Sequence, residues 1–467
     1  MATDYQFRLY ATWRRTPDLF GRYSTAVSHR NLDELTQYTR ALLTGKPRIS
    51  AEVLKEIRAV SAPSLDWQPT IEGADPAPAI ELDELVLSYG FDTLRAAEQF
   101  MDFVVANQGA PLDAANNAIL NVGSDPGGNT ADHWCPGPAN RAMFRHRASA
   151  RKAVNADALT GGRAQPLTGQ AVNVVIIDQG LNRQAINPQN WGGGLGSNIG
   201  QASRTSHGMM VARSILNLAP DAVLYDVPLI PPRITNIPAF ISTAQVVYQV
   251  LMLVIALLRP QPRWSGPWIL VNAWSIYDRT TDRPPFGSYT ENRHFGGHPM
   301  INVVTQAVQQ GQLDVVFAAG NCGEFCPSQR CGGLDRGPGH SIWGANAHPL
   351  VITAGAVRTD ETWLGYSSQG PGPAALAILK PDLCAPSQFC ETDDAAVLNS
   401  GSSAACAMTA GVLAALRSNP AWDQFAVTPA AMKAAMIASA RKTLGPGWNE
   451  RLGYGILDAA NAIAQLP

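Results

Sequence analysis

From Ala171 onward, short runs that are almost wholly apolar alternate with longer stretches whose apolar residues recur at helical spacing. The runs are Val172-Asn-Val-Val-Ile-Ile, Ala222-Val-Leu-Tyr-Asp-Val, Trp268-Ile-Leu-Val-Asn-Ala, Leu313-Asp-Val-Val-Phe-Ala-Ala and Leu350-Val-Ile-Thr-Ala-Gly-Ala. Helices are predicted from His207, near 241–258, over 300–310 and in two closing stretches. Strands apolar on both faces and interleaved with helices predict an α/β fold, with a mainly parallel sheet covered on both sides. Ligands of such sheets sit beyond the carboxyl ends of the strands, so polar residues there are the candidates for chemistry.

The first 162 residues read differently. Asn31 precedes the amphipathic run Leu32-Asp-Glu-Leu-Thr-Gln-Tyr-Thr-Arg-Ala-Leu-Leu and Gly45 follows it, a start and a stop. Ser50 heads a second helix and residues 91–107 form a third. Ala62-Pro-Ser, Glu72-Gly-Ala-Asp-Pro-Ala-Pro-Ala and Gly123-Ser-Asp-Pro-Gly-Gly-Asn read as loops, the last leading to Cys135-Pro-Gly-Pro. The expected division is a mostly helical region over 1–162 and the α/β unit over 163–467, in keeping with a chain too long for one core.

Composition narrows the function classes. A net charge of -2 supplies no basic face to displace counterions from nucleic acid, and no Lys/Arg run suits an anionic membrane. The apolar stretch over 237–258 is interrupted by Ser242, Thr243, Gln245 and Gln249, so it reads as a buried core helix. The N-terminus lacks the pattern of a secretory signal, and seven cysteines is an odd number, so a reducing cytoplasm is expected. Cys322, Cys326 and Cys331 cluster, with His340 beyond. Free or packed thiols are the first expectation, with a local disulfide or a metal set as alternatives.

Four polar residues stand at the ends of these elements. Asp178 closes the run Val174-Val-Ile-Ile-Asp, His207 opens a helix in Ser206-His-Gly-Met-Met-Val-Ala, Asn321 ends Val316-Phe-Ala-Ala-Gly-Asn, and Ser403 lies in Asn399-Ser-Gly-Ser-Ser-Ala-Ala. Singly, each also reads as a cap or a turn. Together, in the order Asp, His, Asn, Ser, the chain resembles the subtilisin-like (S8) serine peptidases. Leu218-Ala-Pro-Asp-Ala, Asn272-Ala-Trp-Ser, Lys380-Pro-Asp-Leu-Cys-Ala-Pro and Gly453-Tyr-Gly-Ile-Leu-Asp-Ala extend the likeness over roughly 167–464.

The resemblance implies an endopeptidase without cofactor. Ser403 is the nucleophile, His207 its base, Asp178 the orienter of the imidazole and Asn321 an oxyanion donor. It also implies that Ala273, Trp274, Ser275 and Ile276, with Ala318, Ala319 and Gly320, line the groove for a protein or peptide substrate. Gln179, Met209, Met210, Ala407 and Met408 depart from the family pattern. The His207 helix runs straight into Ala219-Pro220, leaving no room for the family's calcium loop. Residues 1–162 are expected to regulate or dock a partner, with a removable propeptide as the alternative. An altered triad shell keeps a second reading open, a catalytically weak module that binds peptides.

Overall fold

Side chains alternate along β1 (Phe7–Arg14). Phe7, Leu9, Ala11 and Trp13 turn into one core while Tyr10 turns into another, the period of two that a strand imposes. The computed structural model describes residues 5–74, 78–133, 145–231, 237, 239–283, 287–294, 296–391, 397–443 and 445–465. In it, β1 joins β2 (Arg58–Ser61), β4 (Glu84–Phe91) and β5 (Ile119–Ser124) in an antiparallel sheet of order β2-β4-β1-β5. Helices α1 (Pro17–Ser28), α2 (Asp33–Leu43), α3 (Ala51–Glu56) and α4 (Leu94–Ala106) complete the region. The three expected helices are present, but they cover a sheet that the helical reading did not include. The helix expected from residue 91 starts at Leu94, because the Thr93 side chain caps it by accepting from the Ala96 N–H, and Phe91 belongs to β4. Two short strands follow a different course, β3 (Pro69–Ile71) and β6 (Asn129–Thr130). Of the expected loops, residues 75–77 and Cys135-Pro-Gly-Pro lie outside the described residues.

The second region contains the predicted sheet. Its strands are β7 (Asn173–Asp178), β8 (Trp191–Leu195), β9 (Val223–Pro228), β10 (Trp268–Asn272), β12 (Asp314–Ala318), β13 (Ile352–Val357) and β14 (Leu383–Pro386). They run in the order β14-β13-β12-β10-β7-β9-β8, all neighbours parallel, and β3 from the N-terminal region adds an antiparallel eighth strand on β8. The pairs β11 (Trp274–Ser275) with β6, and β15 (Phe389–Cys390) with β16 (Leu398–Asn399), stand apart from it. Helices here are α6 (His207–Leu216), α7 (Phe240–Leu258), α8 (Pro299–Gln309), α9 (Gly401–Arg417), α10 (Pro429–Ser439) and α11 (Ala459–Gln465), and α5 (Arg147–Ala153), although it precedes residue 163, packs in the same core through Ala150.

One face of the large sheet (Val174, Ile176, Val271, Val316) packs on α6 and α9, and the other (Val175, Ile177, Leu270, Phe317) on α7 and α8. The outer side of α7 meets Tyr10, Leu82 and Val86 of the N-terminal region, so this helix has sheet on two sides. That explains its nearly all-round apolar surface. Among the described residues it is the one helix long and apolar enough to cross a membrane, and two thirds of its most apolar stretch is buried within the protein. Asp125 from the N-terminal region caps its first turn, accepting from the N–H and hydroxyl of Ser242 at 3.0 and 2.7 Å.

Candidate active site

Asp178 is the last residue of β7 and fully buried, and His207 is the first of α6. The Ser206 hydroxyl accepts from the Met209 N–H (3.2 Å) and donates to the Gly180 carbonyl (2.9 Å), pinning the helix start to the turn after β7. Gln179 adds a second tie, its side-chain oxygen accepting from the His207 N–H at 3.3 Å. The ring then lies against the carboxylate, with Nδ1 donating to Asp178 Oδ1 at 2.7 Å and Oδ2 at 2.9 Å. Burial by itself would lower the His207 pKa. The charge of Asp178 and this bond outweigh it and hold the imidazole above its ordinary value, with a smaller push from Asp132. Two of the departures from the family pattern find uses as acceptors: Met209 Sδ for the Asn182 N–H and Met210 Sδ for the Ser400 N–H. Ala407 and Met408 are wholly buried in α9.

Ser403 is the third residue of α9, a helix buried along its whole length. Asn321 Oδ1 accepts from the Ser402 N–H (2.9 Å), Ser402 Oγ accepts from the Gly320 N–H (3.0 Å), and the Ser387 hydroxyl donates to the Gly401 carbonyl (2.7 Å). The Asn321 amide Nδ2 donates to the Tyr277 hydroxyl at 3.1 Å. The structure thus brings Asp178 and His207 together, and Asn321 beside the start of α9. It does not hydrogen-bond His207 to Ser403: Nε2 of His207 has no hydrogen-bond partner among the described residues, and the Ser403 hydroxyl donates to the Ala273 carbonyl at 3.1 Å.

A stretch of the chain itself lies beside Ser403. β6 pairs antiparallel with β11, Thr130 opposite Trp274 and Asn129 opposite Ser275. Next along, the Ala131 N–H donates to the Ala273 carbonyl (2.8 Å), and the Ala131 carbonyl accepts from the Ser403 N–H (3.1 Å). Of the groove residues expected from sequence, Ala273, Trp274 and Ser275 therefore carry an extended peptide, and Ile276 is buried behind them. Ala318 ends β12, the Ala319 N–H donates to the Ala354 carbonyl, and Gly320 has φ +104°. A Cβ on Gly320 would stand 2.8 Å from Ser368 Oγ, so that position needs glycine.

The cysteine expectation is corrected. Cys322 and Cys331 are joined in a disulfide with Cα atoms 5.8 Å apart, because the turn at Ser328 returns the loop on itself, and Cys326 is disulfide-bonded too. Oxidised sulfurs are not thiolate ligands, and His340 is exposed, so the metal alternative over Cys322, Cys326, Cys331 and His340 fails.

Sequence reasoning missed Ala131, Asp132, Tyr277 and Arg330. Arg330 spans the self-bound stretch: Nη1 donates to the Thr130 carbonyl (2.9 Å), and Nη2 to the Asp132 carbonyl (2.6 Å), the Asp132 carboxylate (3.3 Å) and the Tyr277 hydroxyl (3.3 Å). Tyr277 also donates to the Thr130 carbonyl at 3.0 Å. No local pattern marks these residues, since Arg330 and Thr130 are 200 positions apart.

The sequence model of the subtilase family matches residues 169–455, well over half the chain. No curated protein sequence matches. Among solved structures, MycP1 from the ESX-1 type VII secretion system is 18% identical, covering 73% of this chain and 92% of its own, with a TM-score of 0.48. MycP1 from Mycobacterium smegmatis is 17% identical over 73% and 90%, with a TM-score of 0.47. MycP1 with its N-terminal propeptide removed is 18% identical over 68% and 96%, with a TM-score of 0.46. With the family's segments matched from before β7 to beyond α10, this chain belongs to the subtilase family of serine peptidases.

Proposed function

We propose that the chain is a serine endopeptidase that works through Asp178, His207 and Ser403 and is held latent by its own N-terminal region. One observation carries this reading: an extended peptide in the groove puts a backbone carbonyl, that of Ala131, on the N–H of Ser403. A carbonyl seated there gains negative charge when attacked, and the N-terminus of α9 stabilises that charge.

In the reaction, the Ser403 hydroxyl turns from Ala273 to His207 Nε2, gives up its proton there and attacks the carbonyl carbon. Asp178 keeps Nδ1 protonated, so Nε2 is the basic nitrogen, and stabilises the imidazolium that forms. The Asn321 amide exchanges Tyr277 for the oxyanion. The C–N bond breaks as the imidazolium protonates the leaving amine, and water then hydrolyses the acyl-enzyme by the same route. The substrates are proteins or peptides, bound as an added antiparallel strand along 273–275.

The region over 1–162 acts as an inhibitor whose stretch at 129–131 fills the groove, which favours the propeptide alternative over partner docking. Disulfides persist in oxidising compartments, so the pair at Cys322 and Cys331 favours such a compartment over the cytoplasm first expected.

A second reading, a module that binds peptides without cutting them, draws on His207 Nε2, which has no hydrogen-bond partner among the described residues. A fluorophosphonate probe with casein hydrolysis separates the two. Labelling and hydrolysis that vanish in Ser403→Ala support the peptidase. A well-folded protein that neither labels nor cuts, even with the groove freed, leaves the binding module.

A further inference from the structure

The geometry points to Arg330 as a specificity-determining residue that selects substrates with an acidic side chain immediately after the cut bond. This rests on the peptidase reading above and adds to it a substrate class.

Register fixes which bond is meant. The Ala131 N–H is on the Ala273 carbonyl and its own carbonyl is on the Ser403 N–H, so the bond facing Ser403 joins Ala131 to Asp132. Ala131 is the residue before that bond and Asp132 the residue after it. Gly401 lies against this junction, where a Cβ would be 2.1 Å from the Ala131 carbonyl oxygen and 2.7 Å from Asp132 Cα. The chain therefore presents a worked example of a bound substrate.

Arg330 contacts both sides of that bond. Its grip on the carbonyls of Thr130 and Asp132 is blind to sequence, because every peptide has those groups. Its contact with the Asp132 carboxylate at 3.3 Å is not. The same carboxylate oxygen accepts from the Thr130 hydroxyl at 2.7 Å, so the acid is oriented as well as paired. Burial acts against the charge of Asp132, but His207 and Arg330 together hold its carboxyl below the usual range. A lysine side chain at the same place would meet the Arg330 guanidinium, and the His207 imidazolium as it forms.

Arg330 is itself pre-set for the task. Its Nε donates to Ser328 Oγ at 3.1 Å, its guanidinium lies 4.4 Å from the Tyr277 ring centroid, and the next residue, Cys331, is tied to Cys322 beside Asn321. A planar fork held in place discriminates by charge with little ordering cost. Arg330 touches no atom that changes bonding on the acyl side, so its role is selection.

The test uses the full-length chain, with self-cleavage followed by intact mass and N-terminal sequencing. The variants are Asp132→Asn, Asp132→Lys, Arg330→Glu and the double Asp132→Lys with Arg330→Glu, each checked for folding by circular dichroism. A cut after Ala131 is expected, slowed on the order of tenfold or more by each single charge change and partly regained in the double swap, by about one charge-assisted hydrogen bond's effect, since glutamate restores the charge pair but not the bonds to the carbonyls. In trans, the cleaved protein should cut a peptide containing Asn-Thr-Ala-Asp-His faster than its Asn-Thr-Ala-Lys-His counterpart, with the order reversed in Arg330→Glu. A cut at that bond with rates indifferent to residue 132, or a double swap no better than the singles, overturns the inference. So does failure to cut there by a protein that hydrolyses casein through Ser403. Absence of both fluorophosphonate labelling and casein hydrolysis removes the peptidase reading itself, and the inference with it.

Discussion

Gly401→Ala puts a methyl group where the self-bound stretch runs. The added Cβ would lie 2.1 Å from the Ala131 carbonyl oxygen, 2.6 Å from the His133 nitrogen and 2.7 Å from Asp132 Cα, all backbone atoms that cannot rotate away. Gly401 also has φ +68°, which costs an L-residue about 1–2 kcal/mol. One side must yield. The start of α9 is held by Asn321, Ser402 and Ser387, and the helix behind it is wholly buried. The peptide is held by the bond to Ala273, the bond from Ser403, the short pairing with β11 and the bonds from Arg330 and Tyr277. Losing the first two, at about 1 kcal/mol each, is worth about 2 kcal/mol, or roughly thirtyfold in groove occupancy. Hydrogen exchange read on overlapping peptides tests this. The amide of Ala131 should lose protection on that order, while those of Gly320 and Ser402 keep theirs. Unchanged protection at Ala131 in a folded variant, or loss at Gly320 and Ser402 instead, refutes the assignment of which side gives way.

Asn321→Ala removes an oxyanion donor and should cost about 2.7–4 kcal/mol, a drop in kcat of about a hundred to a thousandfold with KM little changed, checked by steady-state peptide hydrolysis. The imidazole must be neutral to act as base and its pKa is raised, so kcat/KM should climb with pH through a midpoint above 6.5; because Asp132 contributes to the rise, Asp132→Asn should move the His207 midpoint, followed by NMR in the uncut Ser403→Ala protein, downward. Arg417 at the end of α9 grips Asp314 at the head of β12 through Nε (2.7 Å) and Nη2 (2.8 Å), both residues buried. Arg417→Met strands that carboxylate and should destabilise the fold by about 3–5 kcal/mol in urea unfolding. Ser206→Ala removes the cap of α6 and the tie to Gly180, and should cost about 1 kcal/mol of stability together with a fall in kcat.

The large sheet was legible because its strands are apolar on both faces, a pattern that survives any rearrangement of loops. Asp178, His207, Asn321 and Ser403 were legible because each sits beside a strand end or helix start with its own signature. The N-terminal sheet was harder. β1 carries a true alternation at Phe7, Leu9, Ala11 and Trp13, but Arg8 and Arg14 make it read as polar, and β4 is buried on nearly every position because one face meets its own helices and the other meets α7. β6 is two residues long, too short for any period. The pairing of Cys322 with Cys331 depends on a turn at Ser328 that spacing alone does not specify. Arg330 reaches its partners only after two regions of the chain have docked.

β3 has one more consequence. It belongs to the N-terminal region by sequence, yet it forms the outermost strand of the peptidase sheet, paired with β8 from Pro69 opposite Leu195 to Ile71 opposite Gly193. A cut after Ala131 would sever the peptide bond and leave that strand in place, with Asp125 still on the first turn of α7. What the cut changes is concentration. While the fragment stays attached, covalently or through β3 and Asp125, its groove stretch is held at an effective concentration on the order of millimolar; once a cut fragment leaves, only its concentration in solution counts. Activation then follows mass action, rising as the nicked protein is diluted and falling as fragment is added back.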